Sequence, residues 1–181
     1  MSGTPRWSAS SLPYLLPRAA GQPDAWTAEL ADAGLTGSQQ LTEVAEVRAP
    51  ADVAAALGLP AGARVVVRRR VMRVGDRTVE LTDSYYPVHI AAGNRLAEHR
   101  RIPGGAVTLL AALGHVPARA REDVTARMPT PEERVALALG EGEPVLVLCR
   151  LLLAAGDVPV EVSVMTMPAH GRHLGYETAL G

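Results

Sequence analysis

The sequence predicts an α+β fold: one antiparallel sheet of about five or six strands with helices packed on it. Three observations carry this. Two long β-rich runs, residues 63–87 and 144–167, each fold back on themselves at a turn containing Gly and Asp. Three or four short helical stretches, bounded by proline and glycine, lie before and between them. And 181 residues with 48% apolar content are enough for one ordinary core without disulfides or metals.

The elements follow in order. Residues 1–22 are rich in Pro, Ser and Gly and show no period, so they read as an extended arm with Trp7, Tyr14, Leu15 and Leu16 as anchors. "DAWTAELADAG" (24–34) has helical spacing and stops at Gly34. An arm over 1–38 with one short helix thus precedes the main domain, 39–181. "QQLTEVAEVRA" (39–49) alternates weakly, as a strand does. "PADVAAALGL" (50–59) is a short helix, with Pro50 in the first turn and Gly58 at the stop. "ARVVVRRRVMRV" (63–74) meets "TVELTDSYYP" (78–87) across "GDR" as a hairpin. "GGAVTLLAALG" (104–114) is a helix between glycines, and "ARAREDVTARM" (118–128) a strand. "TPEERVALALG" (130–140) has Thr130 as N-cap, Pro131 at the first helical position, Glu133 completing a capping box and Gly140 as terminator. "PVLVLCRLLLAAGDVPVEVSVMTM" (144–167) is a second hairpin turning at "AGD". The two hairpins are alike in kind, but no internal repeat is evident.

Composition excludes several classes. A net charge of −1 argues against a chain held on nucleic acid by its own electrostatic footprint. All 18 basic residues are arginine, a compositional habit that weakens any single arginine as a functional signal. The one cysteine, Cys149, excludes an intrachain disulfide and a Cys-based zinc site, and its setting in "PVLVLCRLLL" reads as a small buried hydrophobe. His170 and His173 in "HGRH" have no third ligand nearby, so no metal or other cofactor is expected. No run reaches the ~20 apolar residues of a membrane span. The start lacks a signal peptide, and a soluble cytoplasmic protein is the expectation.

The strand over 78–87 raises a question of chemistry. Alternate side chains share a face, which puts Glu80, Thr82, Ser84 and Tyr86 together. In the preceding strand Arg68, Arg70, Met72 and Val74 share a face. A three-residue turn (Gly75–Asp76–Arg77) pairs Arg70 with Thr82 and Arg68 with Ser84. A two-residue turn slips the register by one and flips every side chain. The three-residue turn is preferred, because it gathers arginines, hydroxyls and a carboxylate into a surface suited to a polar or anionic small molecule. The alternative is a solvated sheet face with cross-strand polar pairs. Two further cues are the glycines of "RIPGGAV", which leave backbone N–H groups open at a helix start, and Glu161, a carboxylate in an apolar strand that needs a partner if buried.

In their order, "LGLPAGARVVVRRR", "VELTDSYYP", "GGAVTLLAALG", "VTARMPTPEERVALALGEGEPVLVLCR" and "PVEVSVMTMP" resemble the UTRA domain. This is the effector-binding domain of HutC-type GntR transcription regulators, similar in fold to chorismate lyase. The resemblance runs from about residue 39 to the end. It implies a homodimer that binds a small-molecule effector and passes the event on through dimer geometry. Family members place a winged helix-turn-helix before this domain. Only about 40 residues precede the resemblance here, with one helix at most, so this chain alone is expected not to bind DNA. It is either a free-standing effector domain or a fragment.

The resemblance also implies where an effector sits. Members that bind sugar phosphates use two alternating arginines on the first hairpin strand, a glutamate on the second, a hydroxyl at a helix start, and a glutamate and an aromatic on the last strand. Here these fall on Arg70 and Met72, on Thr82, on Gly105, and on Glu161 and Met167. Arg70 and Glu161 match; the others are smaller or apolar, which suggests a larger, less charged ligand. Arg68, Glu80 and Ser84 supply compensating polarity, and Tyr86 on the same face is a further candidate. Two alternatives accompany this reading. One is a chorismate lyase-like enzyme with Arg68, Arg70 and Arg127 converging on a dicarboxylate. The other is a ligand-free dimerisation or interaction module.

Overall fold

The computed structural model describes residues 7–9, 12–19 and 21–176. Its centre is a six-stranded sheet, antiparallel throughout, made of β2 (Gly37–Arg48), β3 (Arg64–Val74), β4 (Arg77–Pro87), β5 (Pro117–Arg127), β6 (Val145–Ala154) and β7 (Val158–Pro168). The strands lie in the order β2-β3-β4-β7-β6-β5. Before it come β1 (Trp7–Ala9) and two helices, α1 (Leu12–Leu15) and α2 (Ala25–Asp32). β1 pairs in parallel with β8 (Arg172–Leu174), a contact between the chain's two ends with no local sequence signal.

The strand order reads the same from either edge. β2, the helix α3 (Ala51–Ala56) and the β3–β4 hairpin form one strand–helix–hairpin unit. β5, α6 (Pro131–Ala136) and the β6–β7 hairpin form another, and β4 meets β7 at the middle. A repeat of topology is therefore present although the residues do not advertise it. Between the units run α4 (Val88–Ala91), a turn of 3-10 helix (Arg95–Ala97) and α5 (Ala106–Ala112).

The hairpin register has an unexpected cause. Val74 pairs with Arg77, so the turn is the two-residue one, Gly75–Asp76. A bulge then shifts the register by one, Met72 facing Glu80 while Arg73 faces Thr78. Arg70 thus meets Thr82 and Arg68 meets Ser84. The pairing expected from a longer turn is reached by a short turn plus an extra residue in the strand.

Each face of the sheet has its own core. On one, α3 places Val53, Ala54 and Leu57 against Val65, Val67, Tyr85, Leu151 and Val162. On the same face Leu137 and Leu139, just after α6, pack on Val145. Cys149 is free and half-buried beside the α3 cluster. On the other face Val66, Tyr86, Leu152 and Val160 meet Ile90, Leu96, Ile102 and Leu110 from the connection between the units. The N-terminal segment joins this second face: Trp26 and Leu30 of α2 bury against Met72 and Val79. Tyr14 and Leu15 are partly buried there, whereas Leu16 is 56% exposed. The Trp7 side chain lies outside the described residues.

The helix expected over 130–140 has the capping box in full: Thr130 Oγ1 accepts from the Glu133 N–H, and the Glu133 carboxylate accepts from the Thr130 N–H. It stops before Gly140. Ala138, at a φ of 51°, takes the left-handed terminating position, and the Leu139 N–H closes the end on the Arg134 carbonyl. Among the described residues no helix is long and apolar enough to cross a membrane.

Candidate functional site

The buried polar residues are not scattered. Arg68, Glu80, Thr82, Ser84, Arg150, Glu161 and Ser163 are all buried on the second face of the sheet, and among the described residues only Thr166 is a buried polar residue on the first. With Ser84 at 0% and Thr82 at 4% exposure, this is no solvated face. A cavity of about 150 Å³ lies over it. β3, β4, β6 and β7 form the floor, and residues 102–107 and 13–26 supply the walls. Of the expected residues, Arg68, Arg70, Met72, Glu80, Thr82, Tyr86, Gly105, Glu161 and Met167 line it. Ser84 lies under the floor, bonded to residues that do.

One row of side chains crosses the middle of the sheet: Arg68, Ser84, Ser163 and Arg150 pair in register from β3 to β6. From this row a hydrogen-bond relay emerges. Arg70 Nη2 donates to Ser84 Oγ at 2.7 Å, the Ser84 and Ser163 oxygens are 2.7 Å apart, and Ser163 Oγ donates to Glu161 Oε1 at 2.6 Å. The ends fix the direction. Ser163 gives its proton to the carboxylate, so it accepts from Ser84, which in turn accepts from the guanidinium. A cation and an anion are thereby joined through two buried hydroxyls. Each keeps one further polar atom buried without a partner among the described residues: Arg70 Nε, a donor, and Glu161 Oε2, an acceptor.

A second ion pair stands beside the relay. Glu80 accepts from Thr82 Oγ1 at 2.7 Å and from Arg172 Nη2 at 3.0 Å, with both charged side chains about nine-tenths buried. The expected loss of a glutamate at Thr82 is thus answered two residues away, by Glu80 and a cation from β8. Burial, and then the Glu161 charge, push the Tyr86 phenol well above its ordinary pKa. Burial and Glu29, to which it is hydrogen-bonded, do the same for Tyr14.

Arg68 has a different task from Arg70. Its Nη1 donates to the carbonyls of Arg95, Leu96 and Glu98, and its Nη2 to that of Arg100, at 2.8–3.0 Å. It therefore holds the 95–100 segment onto the sheet. Arg127 is bonded to Glu133 through both terminal nitrogens and is not among the cavity-lining residues. Arg68, Arg70 and Arg127 do not converge, and the cation cluster suggested for a lyase is not formed. The Gly105 N–H, expected to be open at a helix start, donates to the Ile102 carbonyl at 3.0 Å.

Two expectations about space also change. Met72 does not open room for a larger ligand, because Trp26 and Leu30 pack against it. Met167 is packed with Leu148 and Met165. The sequence reading missed four residues of the site: Ser163, Arg150, Arg172 and Tyr14. Ser163 had a signal, since it follows Glu161 by two and shares its face. Arg150, ion-paired to Glu122 with both side chains 10% exposed and set 5.8 Å from the Tyr14 ring centre, was the lone charge in an apolar strand.

A six-stranded antiparallel sheet with a charged, partly open cavity between one face and the N-terminal segment defines a small α+β domain built around a binding site. The chain belongs to the UTRA domain family, whose model matches residues 32–171. It is 33% identical over 130 residues to an uncharacterized HTH-type transcriptional regulator of Streptomyces coelicolor, covering 70% of this chain and 48% of that one. It is 30% identical over 124 residues to the HTH-type transcriptional regulator GgaR of Escherichia coli, covering 65% of this chain and 46% of that one. The chain thus spans about half the length of these curated relatives. Among solved structures, PhnF from Mycobacterium smegmatis superposes with a TM-score of 0.78 at 17% identity, over 98% of this chain and 74% of that one. The effector domain of PhnF gives 0.72 at 19%, over 91% and 98%. The C-terminal domain of the histidine utilization repressor from Pseudomonas syringae gives 0.63 at 21%, over 80% and 100%. At these identities the likeness is one of fold.

Proposed function

We propose that this chain is the small-molecule effector-binding domain of a HutC-type GntR transcription regulator. The observation that carries the reading is the buried relay from Arg70 to Glu161, with an unpaired donor at one end and an unpaired acceptor at the other, both residues lining one cavity. Buried charged groups in a packed core are costly unless fully satisfied. A binding site is a setting in which such a deficit is useful, because the ligand supplies the missing partners. The family match and the regulator relatives support the regulatory role.

In this reading the effector sits on Arg70, Thr82 and Glu161 between sheet and N-terminal segment, with Arg68, Ser84 and Ser163 holding the floor in shape. It stabilises one arrangement of the domain over another, and a cytoplasmic homodimer passes the difference on as a change of subunit geometry. DNA contact belongs to a helix-turn-helix segment or partner, not to residues of this domain. Binding without turnover is favoured over a lyase by the separation of Arg127 from Arg68 and Arg70.

The test is a thermal-shift screen of metabolites against the purified chain, repeated with Arg70→Ala and Glu161→Ala. A hit whose stabilisation disappears in both variants supports the site. A hit unaffected by either places the effector elsewhere. Consumption of chorismate by the purified chain would establish the enzyme reading instead.

A further inference from the structure

Several charges of this cavity are closed on one another. Glu80 is matched by Arg172, and Arg150 by Glu122. Arg70 and Glu161 are matched through Ser84 and Ser163, and Arg68 is engaged by four carbonyls. Arg68 and Arg18 have no carboxylate partner among the described residues, so the cavity favours an anionic group over a second cation. What the site lacks is specific and two-sided: an acceptor for Arg70 Nε and a donor for Glu161 Oε2, on a glutamate only 6% exposed. Arg18 Nε is a further buried donor in the N-terminal wall, which favours a carboxylate over a single carbonyl at the acceptor end. Size narrows the choice. A cavity of about 150 Å³ suits a molecule on the order of ten non-hydrogen atoms, since a comparable engineered protein cavity takes benzene.

Resting on the reading of this cavity as the effector site, we propose that its ligand is a small zwitterion, with its carboxylate on Arg70 and its ammonium on Glu161. Each charged end meets the atom that lacks a partner. The relay then acts as a spacer. Ser84 and Ser163 keep the guanidinium and carboxylate apart, where direct contact between them would consume both binding atoms.

Isothermal titration calorimetry on the purified chain tests this with defined probes. These are α-, β- and γ-amino acids of up to about ten non-hydrogen atoms, their N-acetyl and carboxamide derivatives, glycerol, glycerol 3-phosphate and glucosamine 6-phosphate. At least one amino acid should bind saturably at one per chain, and its N-acetyl and carboxamide forms should bind roughly 10- to 100-fold more weakly. In Glu161→Gln the preference over the N-acetyl form should shrink towards unity while the preference over the carboxamide remains. A phosphate ester or glycerol binding more tightly than every amino acid overturns the zwitterion and leaves the effector site standing. Silence from all amino acids overturns it as well. The metabolite screen with Arg70→Ala and Glu161→Ala then decides separately whether the cavity binds an effector at all.

Discussion

Ser84 and Ser163 face each other where the two strand–helix–hairpin units meet, with their hydroxyl oxygens 2.7 Å apart and both residues buried. Because Arg70 donates to the first and Glu161 accepts from the second, each hydroxyl has one orientation open to it. Two small residues at the centre of the sheet thereby fix the spacing and the polarity of the candidate site.

Removing either hydroxyl should cost more than one ordinary hydrogen bond. Ser84→Ala strands an Arg70 nitrogen, and Ser163→Ala strands Glu161 Oε1, each for about 1–3 kcal/mol in urea unfolding. The double variant should cost less than the sum, by roughly 0.5 kcal/mol or more, because the second substitution breaks a relay already broken. Strict additivity would mean that the four groups do not act as one chain.

Arg68 is predicted to be structural. Arg68→Ala leaves the carbonyls of 95, 96, 98 and 100 without their buried donor, which should cost about 2–4 kcal/mol. Amide exchange over 94–102 should accelerate while the far edge, β5, stays protected. Arg68→Lys should recover only part of the loss, because an ammonium lacks the planar fork that reaches several carbonyls. Full recovery by lysine would refute this account.

The contrast between Arg68 and Arg70 shows what the sequence could and could not say. Alternation placed both on one face, and a family resemblance singled out Arg70. But Arg68 is committed by a segment some 27–32 residues away, and long-range contacts of that kind leave no local pattern. The α6 capping box was legible down to its residues because it is a three-residue relation. The hairpin register was legible because it gathers the arginines, hydroxyls and carboxylate on one face, although the short turn and the bulge that deliver it were not. Trp26 over Met72 and the β1–β8 pairing join distant parts of the chain, so the closing of the cavity by the N-terminal segment could not be read.

Ala138 offers a gain in stability. The ends of α2, α3 and α5 place Gly34, Gly58 and Gly114 in the left-handed position, at φ of 68°, 65° and 87°. After α6 that position is Ala138 at 51°, where a Cβ costs roughly 1 kcal/mol or somewhat more. Ala138→Gly should therefore stabilise the fold by up to about 1 kcal/mol, read as a higher urea midpoint, once the greater freedom of glycine in the unfolded chain is counted. The exchange Gly58→Ala should do the reverse. A destabilised Ala138→Gly would show that the Ala138 methyl contributes more than its backbone costs.

The alkaline limb of stability should belong to tyrosine. The chain has no lysine and one cysteine, so little else titrates between the neutral range and the arginines. Burial raises Tyr14 and Tyr86, with Glu29 and Glu161 as the next causes, and burial followed by Asp83 raises Tyr85 to about 12. A folded pKa above the unfolded value near 10 means that the stabilisation is complete below pH 10. It is lost as pH rises towards the folded value, because the unfolded chain releases its protons first. For the fully buried Tyr86 the loss is about 1.4 kcal/mol per pH unit above 10. The tyrosinate absorbance of Tyr14, Tyr85 and Tyr86 should accordingly appear late and together with the loss of far-ultraviolet dichroism, and only the 58% exposed Tyr176 should titrate separately beforehand. Tyr86→Phe should flatten the decline of stability above pH 10. Full tyrosinate formation in a still-folded protein at pH 10.5 would contradict the burial of these phenols.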